Sequence, residues 1–179
     1  NGQNGAHGGN YNVHAWKDGI ETRVRVANNV SGVVWTYKSV NSDQCMIDIP
    51  GGIGGDGGNG GDGGDGKNGR VTTESSKKVG DGGNGGNGGN GGNGGNGGAV
   101  LVTVHPNAPD FEARLVVINL GGMNGVCGEV GKKGAGGTAD TGQVNGLDGL
   151  PGIRGIDGIP GAIGPAAVIK TEEFDPNSL

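Results

Sequence analysis

The sequence predicts a mostly β protein that also contains a bundle of polyglycine II or polyproline II helices and has no α-helix. Two observations lead to this prediction. Glycine accounts for 47 of the 179 residues, and it recurs with a period of three along four long runs. The segments between the runs alternate apolar with polar residues and are rich in β-branched side chains, as strands are. We therefore expect a small β-sheet body with two antiparallel pairs of projecting glycine rods.

The four glycine runs differ in composition. The first two, 51–69 and 80–98, carry glycine pairs, mostly with Asp or Asn at the third position. The other two, 122–137 and 146–164, carry one glycine per triplet. A three-residue period fits the polyproline II helix and fits neither an α-helix nor a strand. Because ordering glycine costs much conformational entropy, we expect lateral hydrogen bonds to hold the rods in a bundle.

The segments between the runs predict the strands. Residues 33–40 and 44–49 predict one hairpin, and residues 99–104 and 114–120 predict a second. The chain is interpreted as one module whose parts follow in this order: a β part over 1–50, a first rod pair over 51–98, a β-hairpin over 99–120, a collagen-like second rod pair over 121–165, and a last strand and tail over 166–179. Since Asn1 opens a stretch already in phase with the glycine period, we expect a piece of a longer protein.

Composition and motifs argue against several functions. The net charge is −5 and no dense Lys/Arg cluster exists, which argues against nucleic-acid binding. No stretch approaches the ~20 apolar residues of a membrane span, so no membrane insertion is expected. The histidines His7, His14 and His105 are scattered and are expected on the surface or in loops, so we expect no enzyme activity, cofactor or metal site. Cys45 and Cys127 form no disulfide framework, and unpaired thiols are favoured.

An apolar row runs along the last glycine run. Its members recur at every third residue: Leu147, Leu150, Ile153, Ile156 and Ile159. Five large aliphatic side chains in line should not face water. They pack on the third run within the chain, against Met123 and Val126, or they form an interface with another subunit, or they seed a collagen triple helix.

An asparagine row follows the third positions of the second run: Asn84, Asn87, Asn90, Asn93 and Asn96. Such a row offers a regular polar face to ice, a glycan or a neighbouring molecule, and the alternative is a solvated edge that keeps the rods soluble. Asp56, Asp62 and Asp65 of the first run predict no calcium site within one rod, and a site that bridges two rods is the alternative. Residues on the same edge of such a helix lie ~9 Å apart, whereas calcium needs oxygens within ~2.6 Å.

Three further features are candidates for contacts. Asn29 begins an Asn-Val-Ser sequon and is a candidate N-glycosylation site. The polar loops 70–79 and 138–145 would connect the rods of each pair at their distal tips, where binding residues often concentrate. The aromatic residues are expected to cover the small core rather than to bind sugar: Trp16, Trp35 and Tyr37.

The organisation resembles two families. The segment GGDGGNGGDGGDG at 54–66 is similar to the glycine-rich helices carried on a β-barrel in the N-terminal domain of the Obg GTPases. No P-loop motif is present, so the resemblance does not imply GTP chemistry. The tract GLDGLPGIRGIDGIP at 146–160 is similar to collagen-like and glycine-rich surface proteins, a group that includes phage tail-tip adhesins.

Three functions are therefore consistent with the sequence. The first is a non-catalytic structural module of an extracellular or surface-exposed fibre or matrix, which self-associates through its glycine-rich rods. The second is an adhesin or receptor-binding tip that presents loops 70–79 and 138–145 to a surface receptor or glycan. The third is an ice-binding protein, although threonine or alanine faces would suit ice better than Asn and Asp do.

Overall fold

A computed structural model describes residues 1–39, 44–71, 76–77, 79–140 and 144–179. The chain forms two compact units. The glycine unit comprises Asn1–Asn4, Gly54–Asn93 and Asn124–Ile159, and the sheet unit comprises the rest of the chain: Gly5–Ile53, Gly94–Met123 and Pro160–Leu179. The described strands are β1 (Asn10–Asp18), β2 (Glu21–Asn28), β3 (Val34–Ser39), β4 (Cys45–Asp48), β5 (Arg70–Val71), β6 (Ser76–Lys77), β7 (Ala99–Val104), β8 (Leu115–Ile118) and β9 (Val168–Thr171). Two short 3-10 helices cover Pro109–Arg114 and Pro176–Ser178.

A five-stranded mixed sheet forms the body of the sheet unit, in the order β3-β2-β1-β7-β9. β1 and β2 are antiparallel, as are β2 and β3, whereas β7 lies parallel to both β1 and β9. β4 and β8 form a separate parallel pair. The turn between β1 and β2 contains Gly19 with a φ of 63°, a backbone conformation that glycine adopts without a steric penalty.

The core of the sheet unit lies on one face of this sheet. Val13 pairs with Val26 on one side and with Val102 on the other, so these side chains share the same face. β4 contributes the buried Ile47, and the first 3-10 helix contributes Phe111, which is fully buried. Among the described residues, the body is therefore held together mainly by aliphatic side chains around the fully buried ring of Phe111, with Tyr11 packed against them.

The predicted fold class is wrong. The described residues form a small mixed β-sheet domain, with one five-stranded sheet and two two-stranded pairs, and the glycine runs carry no assigned helix or strand. The expectation of no α-helix fits the described residues. The three-residue period shows only which residue types recur, and this pattern is not sufficient to specify a helix or a strand. The two antiparallel rod pairs are therefore replaced by the hydrogen-bonded glycine unit described below.

Both predicted hairpins are also wrong. β3 pairs with β2 instead of β4, and β7 pairs with β1 and β9 instead of β8. β4 and β8, which were assigned to different hairpins, pair with each other. β1 was not predicted as a strand. The prediction favoured neighbours in sequence, whereas β7 returns to β1 only after 80 intervening residues.

The glycine unit is held together by backbone hydrogen bonds between separate segments. Residues 80–93 form its central segment. The backbone amide of the second glycine in each pair of this segment donates to a carbonyl of the first run at 2.7–2.8 Å: Gly83 to Gly64, Gly86 to Gly61, Gly89 to Gly58 and Gly92 to Gly55. The carbonyls of the central segment accept N–H groups of the third run at 2.8–2.9 Å: from Gly125, Gly128, Gly131, Gly134 and Gly137. Buried backbone groups are thereby satisfied without a sheet.

Candidate functional site

The apolar row lies in the glycine unit and is exposed. Its side chains are between 68 and 74% accessible to solvent: Leu147, Leu150, Ile153, Ile156 and Ile159. The interpretation that the row packs on the third run within the chain is therefore wrong. The residues offered as its partners are exposed as well, since Met123 and Val126 are 70 and 55% accessible. The interpretations as a subunit interface or a collagen triple helix stay predictions.

Every residue of the row is fixed through its backbone to the central segment. The five amides donate to side-chain Oδ1 atoms at 2.8–3.0 Å, in the order of the row: Asp81, Asn84, Asn87, Asn90 and Asn93. The carbonyls of the first four accept bonds at 2.8–2.9 Å from the amides of Gly82, Gly85, Gly88 and Gly91. Because the register is the same at each step, the five side chains leave the segment in the same direction.

The asparagine row therefore has an internal role that the sequence did not reveal. The Oδ1 atoms of Asn84, Asn87, Asn90 and Asn93 accept the amides of the apolar row. Asn96, in the sheet unit, accepts the amide of Ala162 at 2.9 Å in the same way. Contact between this row and an external ligand stays a prediction, and it would have to be made beside these internal bonds.

The first run uses the same device. Its Asp and Asn side chains accept amides at 2.8–3.0 Å from the third run and from Thr138, the residue that follows it: Asp56, Asn59, Asp62, Asp65 and Asn68. Within the described residues, no group of three or more His, Cys, Asp or Glu side chains is placed to hold a metal ion. The recurrence of Asp or Asn at each third position was visible in the sequence, but the identity of the bonded segment was not.

Charged groups flank the apolar row. The Lys133 Nζ lies 2.8 Å from Asp148 Oδ2, and Arg154 lies 3.5 Å from Glu129. Lys133 and the amide of Gly136 hold the pKa of Asp148 below its ordinary value. All four side chains are exposed, so these pairs contribute little to stability. They surround an apolar row with both signs of charge.

Asp157 and Cys127 interact on the same part of the glycine unit. The amide of Cys127 donates to Asp157 Oδ1 at 2.8 Å and is the main cause that lowers the pKa of Asp157. The carboxylate in turn raises the pKa of the Cys127 thiol, which keeps the sulfur protonated and unreactive. Cys45, in the sheet unit, is also buried, and neither cysteine forms a disulfide.

The remaining candidates are dispersed. Asn29 is exposed in the turn after β2, where its Nδ2 donates to Asn12 Oδ1 at 3.2 Å. Of the loop 70–79, the structure gives the short pair β5 and β6, and residues 72–75 and 78 lie outside the described residues. Of the loop 138–145, residues 141–143 lie outside them.

The histidines are not gathered in one place. His7 is exposed, and its Nδ1 accepts the amide of Asn96 at 2.9 Å. His14 lies in β1 and is half-buried, so it is neither on the surface nor in a loop, whereas His105 lies in the loop after β7, as expected, and is also half-buried. Phe174 packs edge-on against both rings, at 5.3 and 5.2 Å. Burial lowers the pKa of His14, and Arg25 lowers it further.

Comparison with known proteins gives no relative. No protein-family model, no curated protein sequence and no solved structure matches the chain. The resemblances to the Obg N-terminal domain and to glycine-rich surface proteins therefore stay predictions. Within the described residues, no helix has the length and apolar character needed to cross a bilayer.

Proposed function

We propose that this chain is a non-catalytic structural module of an extracellular or surface-exposed assembly, and that it associates with a second copy through the apolar row. The single observation that carries the proposal is the exposure of five aliphatic side chains whose own backbone amides are all hydrogen-bonded. A fixed backbone loses little conformational entropy on association, which lowers the cost of forming an interface.

The size of the row supports a second copy as its occupant. The five residues together expose on the order of 600 Å². This area lies at the upper end of the largest apolar patch on a typical monomer, and two copies would bury about 1,200 Å², the lower end of specific interfaces. A row that meets the same row on a second copy forms a closed two-fold interface, the commonest arrangement in homo-oligomers.

The charges beside the row also favour self-association. Lys133 and Asp148 stand on one stretch of the unit, and Glu129 and Arg154 on another. Because both signs occur on the same surface, a second copy can meet it without a net like-charge penalty. Exposed ion pairs of this kind affect how two copies align with each other more than they increase the affinity between the copies.

Serine substitutions test the proposal. The double variant Ile153→Ser and Ile156→Ser removes the apolar groups from the centre of the row without touching its backbone bonds. We expect this variant to elute from a sizing column as a monomer, and the unmodified chain as a dimer or larger species. Val144→Ser is the matched control, because Val144 is 87% exposed but lies outside the row. Identical elution of the double variant and the unmodified chain would contradict the proposal.

Cross-linking locates the interface. Ile153 is the middle member of the row, so a two-fold interface places it beside its own copy. Ile153→Cys should form a covalent dimer with a short thiol cross-linker, whereas Val144→Cys should not. The native thiols, Cys45 and Cys127, are buried and should contribute little background. Equal cross-linking at both positions would show that random collisions, rather than the apolar row, bring the copies together.

A further inference from the structure

An aromatic groove lies in the sheet unit, beside β3, which is the edge strand of the five-stranded sheet. Its volume is about 230 Å³. It is lined by three aromatic rings, a carboxylate and an apolar floor: Tyr11, Trp35, Tyr37, Asp48, Val26, Met46, Ile47 and Ile49. This groove is separate from the apolar row, which belongs to the glycine unit.

The three rings stand at the border of the core. Trp35 pairs with Val26 across β3 and β2, so it shares the core face of the sheet. Yet Trp35 and Tyr37 remain 48 and 38% exposed, so the expectation that they cover the core holds only in part. The Trp35 and Tyr11 ring centroids lie 6.4 Å apart with planes tilted by 36°, so the rings are not stacked flat on each other.

Among the described residues that line the groove, Asp48 is the one acidic residue and none is Lys, Arg or His. Asp48 is exposed at the end of β4. The Tyr37 hydroxyl and the Cys45 Sγ lie within hydrogen-bond distance at 3.4 Å, and burial raises the pKa of Tyr37, so this hydroxyl stays neutral. The electrostatic character of the groove is therefore set by its aromatic residues and by the negative charge of Asp48 among its described lining residues.

We propose that this groove binds a methylated ammonium group such as that of choline. Aromatic rings attract a cation through the negative potential of their faces, and quaternary ammonium groups are recognised in this way. The carboxylate of Asp48 adds a complementary charge, and the side chains of Val26, Ile47 and Ile49 offer the methyl groups an apolar floor.

Size and polarity favour this ligand over the alternatives. Sites for drug-sized ligands occupy about 300–1,000 Å³, so a groove of about 230 Å³ suits a small group. An unmethylated lysine ammonium is strongly hydrated and would lose its water shell on an apolar floor. A sugar ring carries several hydroxyl groups, whereas Asp48 is the one charged residue for them among the described residues of the groove.

A titration with choline chloride tests the proposal. The chain has two tryptophans, so a Trp16→Phe background makes Trp35 the sole tryptophan reporter. We expect choline to change Trp35 fluorescence saturably, with half-saturation in the millimolar range. The uncharged carbon analogue, 3,3-dimethylbutan-1-ol, should bind at least tenfold more weakly. Equal affinity for the two probes, or no saturable signal with choline, would overturn the proposal.

Two variants separate charge from shape. Asp48→Asn should weaken choline binding by about three- to tenfold and leave binding of the neutral analogue unchanged. Glu173→Gln is the matched control, because Glu173 is an exposed carboxylate of the same unit outside the groove. Thermal melts of all variants establish that they fold. If Glu173→Gln weakens choline binding as much as Asp48→Asn does, the cation is held by the general negative charge and the proposal fails.

Further probes distinguish the source of the cation. Phosphocholine and a trimethyllysine peptide, titrated in the same way, show whether a headgroup or a modified protein fits better, and binding of either alongside choline supports the proposal. A methyl glycoside or a proline-rich peptide that binds while choline does not would overturn it. The result is independent of self-association, since the serine variants of the apolar row leave the groove intact.

Discussion

The sheet unit and the glycine unit differ in the residues that occupy their buried positions: large apolar side chains in the sheet unit and glycines in the glycine unit. In the sheet unit, large side chains such as Val13, Val24 and Phe111 fill the interior, and the strands pair with one another. In the glycine unit, the buried positions of the third run are mainly glycines, such as Gly125 and Gly131, and the large aliphatic residues of the last run face outward.

The difference shows what each unit depends on. The sheet unit depends on apolar area removed from water, which is the usual driving force of folding. The glycine unit depends on the close approach of backbones, so a single methyl group at the wrong place is enough to separate two segments. Its large side chains contribute little to its own interior and are available for contacts with another molecule.

The largest expected effect is in the sheet unit. Phe111→Ala removes the one aromatic ring that is fully buried among the described residues, and we expect a loss of about 3–5 kcal/mol in the free energy of unfolding. Denaturant unfolding followed by circular dichroism measures it. Phe174→Ala is the comparison variant, because Phe174 is only half-buried and should cost less. Equal losses would mean that the core is not centred on Phe111.

An adjacent pair of glycines tests the glycine unit. A Cβ on Gly63 would lie 2.1 Å from the Gly83 carbonyl oxygen, whereas a Cβ on Gly64 meets nothing within 4 Å. We expect Gly63→Ala to destabilise the unit by about 3 kcal/mol, at the upper end for overpacking, because the obstacle is backbone. Gly64→Ala should be nearly neutral. Hydrogen exchange of the 80–93 amides measures both variants, and similar exchange rates would contradict the close packing.

A smaller effect is expected at the asparagine row. Asn87→Ala leaves the Ile153 amide without its 2.8 Å acceptor and should cost about 0.5–1.5 kcal/mol, since the bond is exposed and water can replace the acceptor. Asn87→Asp keeps an Oδ1 atom in place, as Asp81 does for Leu147, and should be tolerated. The exchange rate of the Ile153 amide distinguishes them. If Asn87→Ala leaves that rate unchanged, the side-chain bond does not hold the apolar row.

The smallest effect concerns pH. The pKa values of Asp148 and Asp157 are lowered in the folded chain, so the two carboxylates bind protons more readily when the chain is unfolded. Their contribution to stability is present above the ordinary carboxyl pKa of about 4 and is lost as pH falls through the lowered folded values. Thermal melts between pH 6 and about 2 should show this loss, and Asp148→Asn should reduce it. An increase in stability on acidification would contradict the expected direction of the pH dependence.

The sequence allowed some features to be predicted. The glycine runs and the spacing of the apolar row were evident, because both depend on neighbours along the chain. The pairing of β4 with β8 and of β1 with β7 could not be predicted, because each pair joins segments that are distant in sequence. Alternation of apolar and polar residues predicts a strand but does not identify the strand with which it pairs. The role of Asn87 was missed for the same reason, since its bond reaches Ile153, 66 residues away.

The central claim is that the apolar row joins two copies, and the solution mass of the unmodified chain tests it most directly. Sedimentation equilibrium at several concentrations gives this mass without reference to shape. We expect twice the mass of the chain, or a larger multiple, at micromolar concentrations, with dissociation on dilution. A mass equal to one chain at every concentration up to the millimolar range would contradict the claim and leave the five aliphatic side chains exposed to water.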